Sequence, residues 1–356
     1  MSRYWSSVVH KLIPYVPGEQ PKVSNLIKLN TNENPYGPSP EVIKAIKAEA
    51  GDDLRLYPDP NGDVVKQAVA ECCGLKANQV FVGNGSDEVL GHIYQALLKH
   101  DKPLLFPDIC YSFYPVYCGL YEVPYELVPL AEDFTIDLKQ YLRPNGGIIF
   151  PNPNAPTGRA LRRDDIASLV DSNSDRLVVV DEAYFGFGAE SSVPLVADHD
   201  NLIVTRSLSK SHALAGMRVG YAIAQADLIE GLSRVKDSFN SYPLDAVAQA
   251  AATAAMEDRQ WLKQATQSVC DVREAMGAGL EAVGFEVLPS HGNFIFTQHK
   301  SLPGKKIFDA LRARDILVRR WDKQRIENWL RISVGTMSQA EQLLVVMREI
   351  VSAETG

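Results

Sequence analysis

The sequence predicts an α/β protein with two domains. The larger has a mostly parallel seven-stranded sheet between helices, and the smaller is α+β. Short apolar runs alternate with helical patterns from about residue 60 to residue 225, as in a parallel sheet buried on both faces. After about residue 235, long helices separate only a few strands. The 356 residues, 46% of them hydrophobic, suffice for roughly two domains.

Residues 1–38 predict an extended N-terminal arm, which we expect to pack with the small domain. Proline, glycine and asparagine interrupt any helical pattern there. A helix is predicted to begin at Ser39, which can cap it, with Pro40 in the first helical position. We assign residues 39–240 to the large domain and residues 241–356 to the small domain.

Seven buried strands are predicted in the large domain, because each apolar run is short and bounded by turn or helix signals. Helices over 87–98 and 163–172 separate several of them. The predicted strands cover residues 80–82, 104–106, 122–128, 148–150, 177–180, 202–205 and 219–224.

The small domain begins with helical patterns and then becomes mixed. An alanine-rich segment at 245–257 and a longer segment at 261–283 predict two helices. Apolar runs at 294–297, 316–318 and 330–334 predict strands, with helices between and after them.

Composition and charge exclude several classes of protein. The net charge of −8 disfavours nonspecific binding to nucleic acid and a basic surface facing a membrane. No apolar run is long enough for a membrane helix, and we expect no signal peptide. Five cysteines form no disulfide framework, so a cytoplasmic protein is expected. The seven histidines show no metal-binding spacing, and no metal is predicted.

A glycine turn follows the first predicted strand of the large domain. Gly85 and Ser86 open a helix there, and its free backbone N–H groups suit a phosphate. The dinucleotide fingerprint would need glycine where Glu88 stands, and no P-loop lysine follows. By itself this turn is as well explained by a capped helix without a ligand.

Two later strand ends carry the groups with the clearest chemistry. Asp181 follows a buried strand, where a carboxylate can hold a cationic ring nitrogen, although a helix cap or ion pair is an equal alternative. Lys210 lies among small polar residues past another strand, and a desolvated lysine amine can form a Schiff base. Ser207, Ser209 and Arg218 add groups that bind oxyanions.

In combination these motifs resemble those of pyridoxal-phosphate aminotransferases of fold type I, and most closely the histidinol-phosphate aminotransferases. The resemblance rests on Asp-x-x-Tyr at 181–184, on Ser-x-Ser-Lys at 207–210 and on Arg218, eight residues beyond the lysine. Outer motifs extend it over nearly the whole chain, at residues 14–18, 29–35, 57–58 and 330–336.

The resemblance implies that pyridoxal 5′-phosphate is the cofactor and assigns residues to it. Lys210 is expected to bind its aldehyde and move a proton, Asp181 to pair with its ring nitrogen, and Tyr184 to hold its phenolate oxygen. Tyr111 is expected to stack on the ring. A homodimer is implied, in which Tyr57 reaches the partner's cofactor phosphate. The remaining phosphate contacts are expected from Gly85, Ser86, Ser207, Ser209 and Arg218.

One position departs from the family pattern. The family often has asparagine directly before Pro-Thr-Gly, where its amide meets the phenolate oxygen of the cofactor, but this chain has Ala155. Either Asn154 substitutes for it, or Tyr184 holds that oxygen with less help.

The implied reaction converts L-histidinol phosphate and 2-oxoglutarate to 3-(imidazol-4-yl)-2-oxopropyl phosphate and L-glutamate, in L-histidine biosynthesis. Arg331 is the first candidate to bind the anionic groups of these substrates, and Arg319 is the second, with Arg320 as its alternative. Tyr15 and Asn32 of the arm are expected to close over the substrate.

Other functions stay open at this point. An aromatic amino-acid aminotransferase or a threonine-phosphate decarboxylase could share the scaffold. A pyridoxal-phosphate-binding regulator is disfavoured, because the chain keeps the lysine and has no DNA-binding extension. The four tryptophans are interpreted as packing or interface residues: Trp5, Trp261, Trp321 and Trp329.

Overall fold

The computed structural model describes residues 2–16, 18–21 and 26–355, and the statements below concern these residues. Parts of the predicted arm, residues 1, 17 and 22–25, lie outside them. The arm contains helix α1 (Ser7–Lys11) and strand β1 (Ile27–Lys28). The prediction of an arm without a helix was therefore wrong. Residues 7–11 contain neither proline nor glycine, so one helical turn can form before Pro14.

The large domain alternates helices and strands. Its helices are α2 (Pro40–Glu49), α3 (Asp63–Cys73), α4 (Gly85–Leu97), α5 (Tyr114–Tyr121), α6 (Arg163–Asp171), α7 (Ala226–Asp237) and α8 (Ala246–Glu257). Its strands are β2 (Val80–Asn84), β3 (Leu104–Pro107), β4 (Tyr125–Val128), β5 (Gly147–Pro151), β6 (Val178–Asp181), β7 (Leu202–Ser207) and β8 (Val219–Ala224).

These seven strands form one sheet in the order β2-β8-β7-β6-β5-β3-β4. Strands β3 to β7 pair in parallel, whereas β8 runs antiparallel to both β2 and β7. The carboxyl ends of the parallel strands therefore meet at one edge, where open α/β sheets bind their ligands. The predicted α/β fold with a mostly parallel seven-stranded sheet is confirmed.

The largest difference from the predicted strands is at β4, which begins at Tyr125 and not at residue 122. Glu122 ends α5 in the left-handed conformation, with φ of 55°, so the chain turns before it can extend. The exposed side chains of Tyr125 and Leu127 follow from the place of β4 at the edge of the sheet.

The C-terminal part consists of helices α9 (Arg259–Glu281), α10 (Gly304–Arg312) and α11 (Met337–Thr355) with five short strands. These strands are β9 (Phe285–Val287), β10 (Phe294–His299), β11 (Ile316–Leu317), β12 (Arg319–Arg320) and β13 (Leu330–Ser333). Four of them form an antiparallel sheet in the order β12-β13-β10-β9, and β11 pairs in parallel with β1 of the arm.

Helix α8 packs with the large domain. Ala248, Ala251 and Ala252 share a hydrophobic cluster with Val42 of α2 and Val65 of α3. Small side chains let these helices approach closely. The division at residue 240 stays a prediction, and this packing favours a boundary near the start of α9. No helix in the described part of the chain combines the length and hydropathy needed to span a membrane.

Candidate active site

A cavity of about 460 Å³ lies at the carboxyl edge of the central sheet. The arm, the loops after β5, β6 and β7, and the strands of the small sheet all contribute to its wall. Most residues predicted for the site line it: Tyr15, Ser86, Tyr111, Asp181, Tyr184, Ser207, Ser209, Lys210, Arg218, Arg319 and Arg331.

Lys210 follows β7 and directs its amine into this cavity. Its Nζ donates a hydrogen bond to the Thr31 carbonyl oxygen of the arm at 3.1 Å. Burial lowers the pKa of Lys210 to about 8, and the positive charge of Arg331 adds to this effect. Roughly a tenth of the amine is therefore neutral, and nucleophilic, at pH 7, far more than for an ordinary lysine.

Asp181 ends β6 and is buried with three hydrogen-bond donors around it. Its Oδ2 accepts from the Tyr114 hydroxyl at 3.0 Å, and its Oδ1 accepts from the Ala183 N–H at 3.1 Å and the Thr205 hydroxyl at 3.2 Å. Burial raises the pKa of Asp181 to about 6, although the three donors oppose the shift. A nearby cation would favour the ionised carboxylate, so this position is suited to pair with one.

Tyr184 comes three residues after Asp181, in the turn that follows β6, and is held by the arm. Its hydroxyl accepts a hydrogen bond from Nδ2 of Asn32 at 2.9 Å. Asn32 in turn is fixed by Ser333 of β13, whose hydroxyl donates to Oδ1 of Asn32 at 2.9 Å. Burial raises the pKa of Tyr184, so the phenol stays protonated and can donate a hydrogen bond into the cavity.

An oxyanion site occupies the end of the cavity next to α4. Arg218 donates to the hydroxyl of Ser209 at 3.3 Å and pairs with the Asp87 carboxylate at 3.2 Å. The hydroxyl of Tyr111 donates to the other oxygen of Asp87 at 2.9 Å. Gly85 has φ of 81°, and a side chain there would overlap the guanidinium of Arg218. The first turn of α4 adds free N–H groups, which also favour an anion.

The opposite end of the cavity is formed by the small sheet. Arg331 on β13 donates through Nη2 to the Asn30 carbonyl oxygen at 2.9 Å, while its buried Nε has no hydrogen-bond partner. Arg319 on β12 lies opposite Arg331 in the strand register and also lines the cavity. Arg320 instead donates to the Glu327 carbonyl oxygen and pairs with Asp322. Of the two alternatives, the structure therefore brings Arg319 to the cavity.

Four predicted residues are not among the described residues that line the cavity: Gly85 and Asn32, which adjoin Ser86 and Tyr184 of its wall, and Asn154 and Tyr57. The side chain of Asn154 donates to the Ile109 carbonyl oxygen at 2.9 Å and to the Thr157 hydroxyl at 3.0 Å, and it is not among the described residues that line the cavity. The structure thus does not bring Asn154 together with the other site residues. Tyr57 is 82% exposed and stacks on Tyr242 at 4.6 Å between ring centroids, away from the cavity of its own chain.

Sequence reasoning missed the side chains that orient these groups. Asp87, which links Tyr111 to Arg218, follows directly after the predicted phosphate turn. Acidic residues are common in the first turn of a helix, where they stabilise its N-terminus, so the sequence alone did not indicate this second role. Tyr114 and Thr205, which hold Asp181, carry no sequence signal, because their contacts form between separate strands and helices.

The arrangement fits a phosphorylated pyridine aldehyde. One end offers a guanidinium, hydroxyls and helix N–H groups for a phosphate, and the centre offers an amine for an aldehyde. A buried carboxylate stands ready for a cationic ring nitrogen. Fold and site together define a pyridoxal-phosphate-dependent transferase of fold type I.

Comparison with known proteins identifies the family. Residues 24–347 match the model of the family "Aminotransferase class I and II". Histidinol-phosphate aminotransferase 1 of Bordetella parapertussis is 58% identical over 99% of this chain and 100% of its own length. The enzyme of the same name from Pseudomonas aeruginosa is 57% identical over 97% of this chain and 98% of its own. The chain belongs to the class I and II aminotransferases and, within them, to the histidinol-phosphate aminotransferase family, which confirms the resemblance.

The solved structures agree on the fold. Histidinol-phosphate aminotransferase from Sinorhizobium meliloti, solved in complex with pyridoxal-5′-phosphate, superposes with a TM-score of 0.90. It is 24% identical, and the match covers 99% of each chain. Aspartate aminotransferase from Thermotoga maritima superposes with a TM-score of 0.81 at 20% identity, over 92% of each chain.

Proposed function

We propose that this aminotransferase moves the amino group of L-histidinol phosphate to 2-oxoglutarate, in histidine biosynthesis. The observation that supports it best is the pair of arginines at the end of the cavity opposite the cofactor-phosphate site. A buried guanidinium with an unpartnered Nε is costly unless an anion completes its hydrogen bonds. Both proposed substrates carry such an anion, a phosphate in one and a second carboxylate in the other.

Pyridoxal 5′-phosphate, when bound, accepts the amino group and withdraws electrons from the substrate carbon. Lys210 is proposed to hold the cofactor aldehyde and, once displaced by the substrate amine, to carry a proton from the substrate carbon. Its lowered pKa suits both tasks, because the same amine must be neutral to accept the proton and protonated to return it.

Asp181 and Tyr184 are proposed to control the charge on the cofactor ring. The Asp181 carboxylate, fixed by Tyr114 and Thr205, would pair with the ring nitrogen of the bound cofactor and keep it protonated. Tyr184, oriented by Asn32, donates to the phenolate oxygen. Because the side chain of Asn154 is engaged by the Ile109 carbonyl oxygen and the Thr157 hydroxyl, we propose that Tyr184 holds this oxygen without the usual asparagine.

Arg331 and Arg319 are proposed to bind the two substrates in turn. A guanidinium fork accommodates a phosphate or a carboxylate equally well, so one wall can serve both half-reactions. Tyr15 lies on the same wall and is proposed to close over the substrate from the arm.

Half-reaction assays test the substrate directly. The absorbance change of the bound cofactor is followed with histidinol phosphate, phenylalanine and threonine phosphate as separate amino donors. Histidinol phosphate is expected to have the highest kcat/KM. A preference for phenylalanine would favour an aromatic aminotransferase, and release of carbon dioxide from threonine phosphate would favour a decarboxylase.

We also propose a cytoplasmic homodimer with shared active sites. Tyr57 and Tyr242 stack on each other at the surface, and Phe239, three residues before Tyr242, is 79% exposed; exposed apolar groups of this kind are typical of interaction sites. Tyr57 is proposed to contact the phosphate of the partner's cofactor from this surface. Light scattering should show two copies, and Tyr57→Phe should weaken cofactor binding without changing the mass. A monomer would contradict the shared site.

A further inference from the structure

Trp321 lies between the two arginines that form the substrate end of the cavity. The guanidinium carbon of Arg331 is 5.3 Å from the centroid of the Trp321 ring, and that of Arg319 is 5.5 Å from it. Both distances are within the range of an attractive cation–π contact, for which tryptophan is the best partner. Trp321 also lines the cavity itself, so its indole contacts the space in which a substrate would lie.

The strand pairing brings two positive charges close together. Arg319 and Arg331 are directly opposite in an antiparallel strand pair, where like charges repel. Arg331 is half-buried, with its Nε fully buried, and burial together with the charge of Arg319 lowers the pKa of Arg331. Some group has to offset this repulsion before the substrate arrives. The face of the indole is the negative surface that both guanidiniums share.

We infer that Trp321 is a positioning residue that makes the enzyme selective for amino donors with a distal anion. By holding Arg319 and Arg331 on one aromatic ring, it prepares both guanidiniums to take a phosphomonoester or carboxylate at a fixed distance from Lys210. This inference rests on the proposed function, and it gives Trp321 a role beyond its packing against the core of the large domain.

The test compares L-histidinol phosphate with L-histidinol, which differs only by lacking the phosphate. Trp321→Leu in the holoenzyme is expected to raise KM for histidinol phosphate roughly five- to thirtyfold, the range for a desolvated cation–π contact. Its kcat, and kcat/KM for histidinol, should stay near wild type. Trp321→Phe keeps an aromatic face and should restore part of the preference for the phosphate.

Two control variants separate this effect from general disturbance. Trp261→Leu makes the same change at a half-buried tryptophan on α9, outside the described cavity wall. Arg320→Ala removes the neighbouring guanidinium, which binds Glu327 and Asp322 instead of the cavity. Both should keep the wild-type ratio of kcat/KM for the two donors. Cofactor absorbance and Tm establish that each variant is folded and loaded.

An unchanged ratio in Trp321→Leu would overturn the inference, as would an equal loss with both donors. Trp321→Gln, which keeps a polar side chain of some length but no aromatic face, takes its place if Trp321→Leu does not fold. Should the wild-type enzyme reject histidinol phosphate, the proposed function fails. The same variants then test Trp321 by the ratio of glutamate to alanine, which differ by the distal carboxylate.

Discussion

The two ends of the cavity are built in different ways. At the cofactor end, side chains from the large sheet and its helices hold one another: Asp181 has three donors, and Asp87 links Tyr111 to Arg218. At the substrate end, strands of the small sheet meet the arm, and Nε of Arg331 and the side-chain oxygens of Asn30 and Thr31 are buried without hydrogen-bond partners.

This difference matches the proposed ligands: a cofactor that stays bound at one end, and substrates that enter and leave at the other. Groups that serve the cofactor are already oriented by protein contacts, so little reorganisation is needed when the ring binds. At the substrate end, the free Nε of Arg331 and the hydroxyl of Thr31 can donate to an incoming anion, whereas the free amide oxygen of Asn30 can only accept from a donor group of the substrate. Substitutions that remove a binding group at the cofactor end should therefore change cofactor affinity, and those at the substrate end should change kcat/KM for the substrates.

The largest effect is expected at the centre, which both ends need. Lys210→Ala should lower kcat by about ten-thousandfold or more, because it removes the amine that is proposed both to hold the cofactor and to carry the proton. Steady-state assays measure the loss. Borohydride reduction of the wild-type enzyme followed by peptide mapping should place the cofactor on Lys210. A label on another lysine would contradict the assignment of Lys210 as the cofactor-binding residue.

Asp181→Asn should lower kcat roughly a hundred- to a thousandfold while cofactor affinity changes little. The carboxylate is proposed to stabilise charge that develops during reaction, whereas Arg218, Ser207 and Ser209 are proposed to hold the phosphate. Kinetics and cofactor titration measure the two effects separately. Tyr114→Phe, which removes one donor to Asp181, should show a smaller loss of the same kind. Near-normal turnover in Asp181→Asn contradicts this role.

Arg218 and Arg331 test the comparison most directly, since the same substitution is made at each end. Arg218→Ala should weaken cofactor binding about ten- to a hundredfold, whereas Arg331→Ala should lower kcat/KM by the same range for both histidinol phosphate and glutamate. Arg331→Lys should recover only part, because an ammonium lacks the two-pronged geometry. If each variant changes cofactor affinity and kcat/KM to the same extent, the two ends are not functionally distinct.

The smallest effect is a shift in pH dependence. In cofactor-free enzyme, the loading rate should rise with pH, with its midpoint near the Lys210 pKa of about 8, and level off about one pH unit above it, where the amine is neutral. Arg331→Ala removes a positive charge that lowers the pKa of Lys210, so the midpoint should move upward and loading at pH 7 should fall by less than about tenfold. Stopped-flow absorbance follows loading. An unmoved midpoint, matching an Arg320→Ala control, would mean that the two ends are electrostatically independent.

Local sequence was sufficient for the sheet and for most of the cofactor residues. Asp181 and Lys210 follow apolar strands whose carboxyl ends must meet in a parallel sheet, so their proximity could be expected. The choice between Arg319 and Arg320 could not be made in this way. Neighbouring residues of a strand face opposite sides, and only the pairing of β12 with β13 shows which side is the cavity.

The sequence by itself determined the α/β class, the family and the chemistry of the cofactor end, because periodic burial and short motifs express these properties within a few residues. The tertiary structure decided which side chains orient them. Asp87 meets Arg218, and Trp321 meets Arg319 and Arg331, only when helix, strand and arm are packed. It also placed the side chain of Asn154 against Ile109. Such contacts depend on distances between separate elements, which no local pattern of residues specifies.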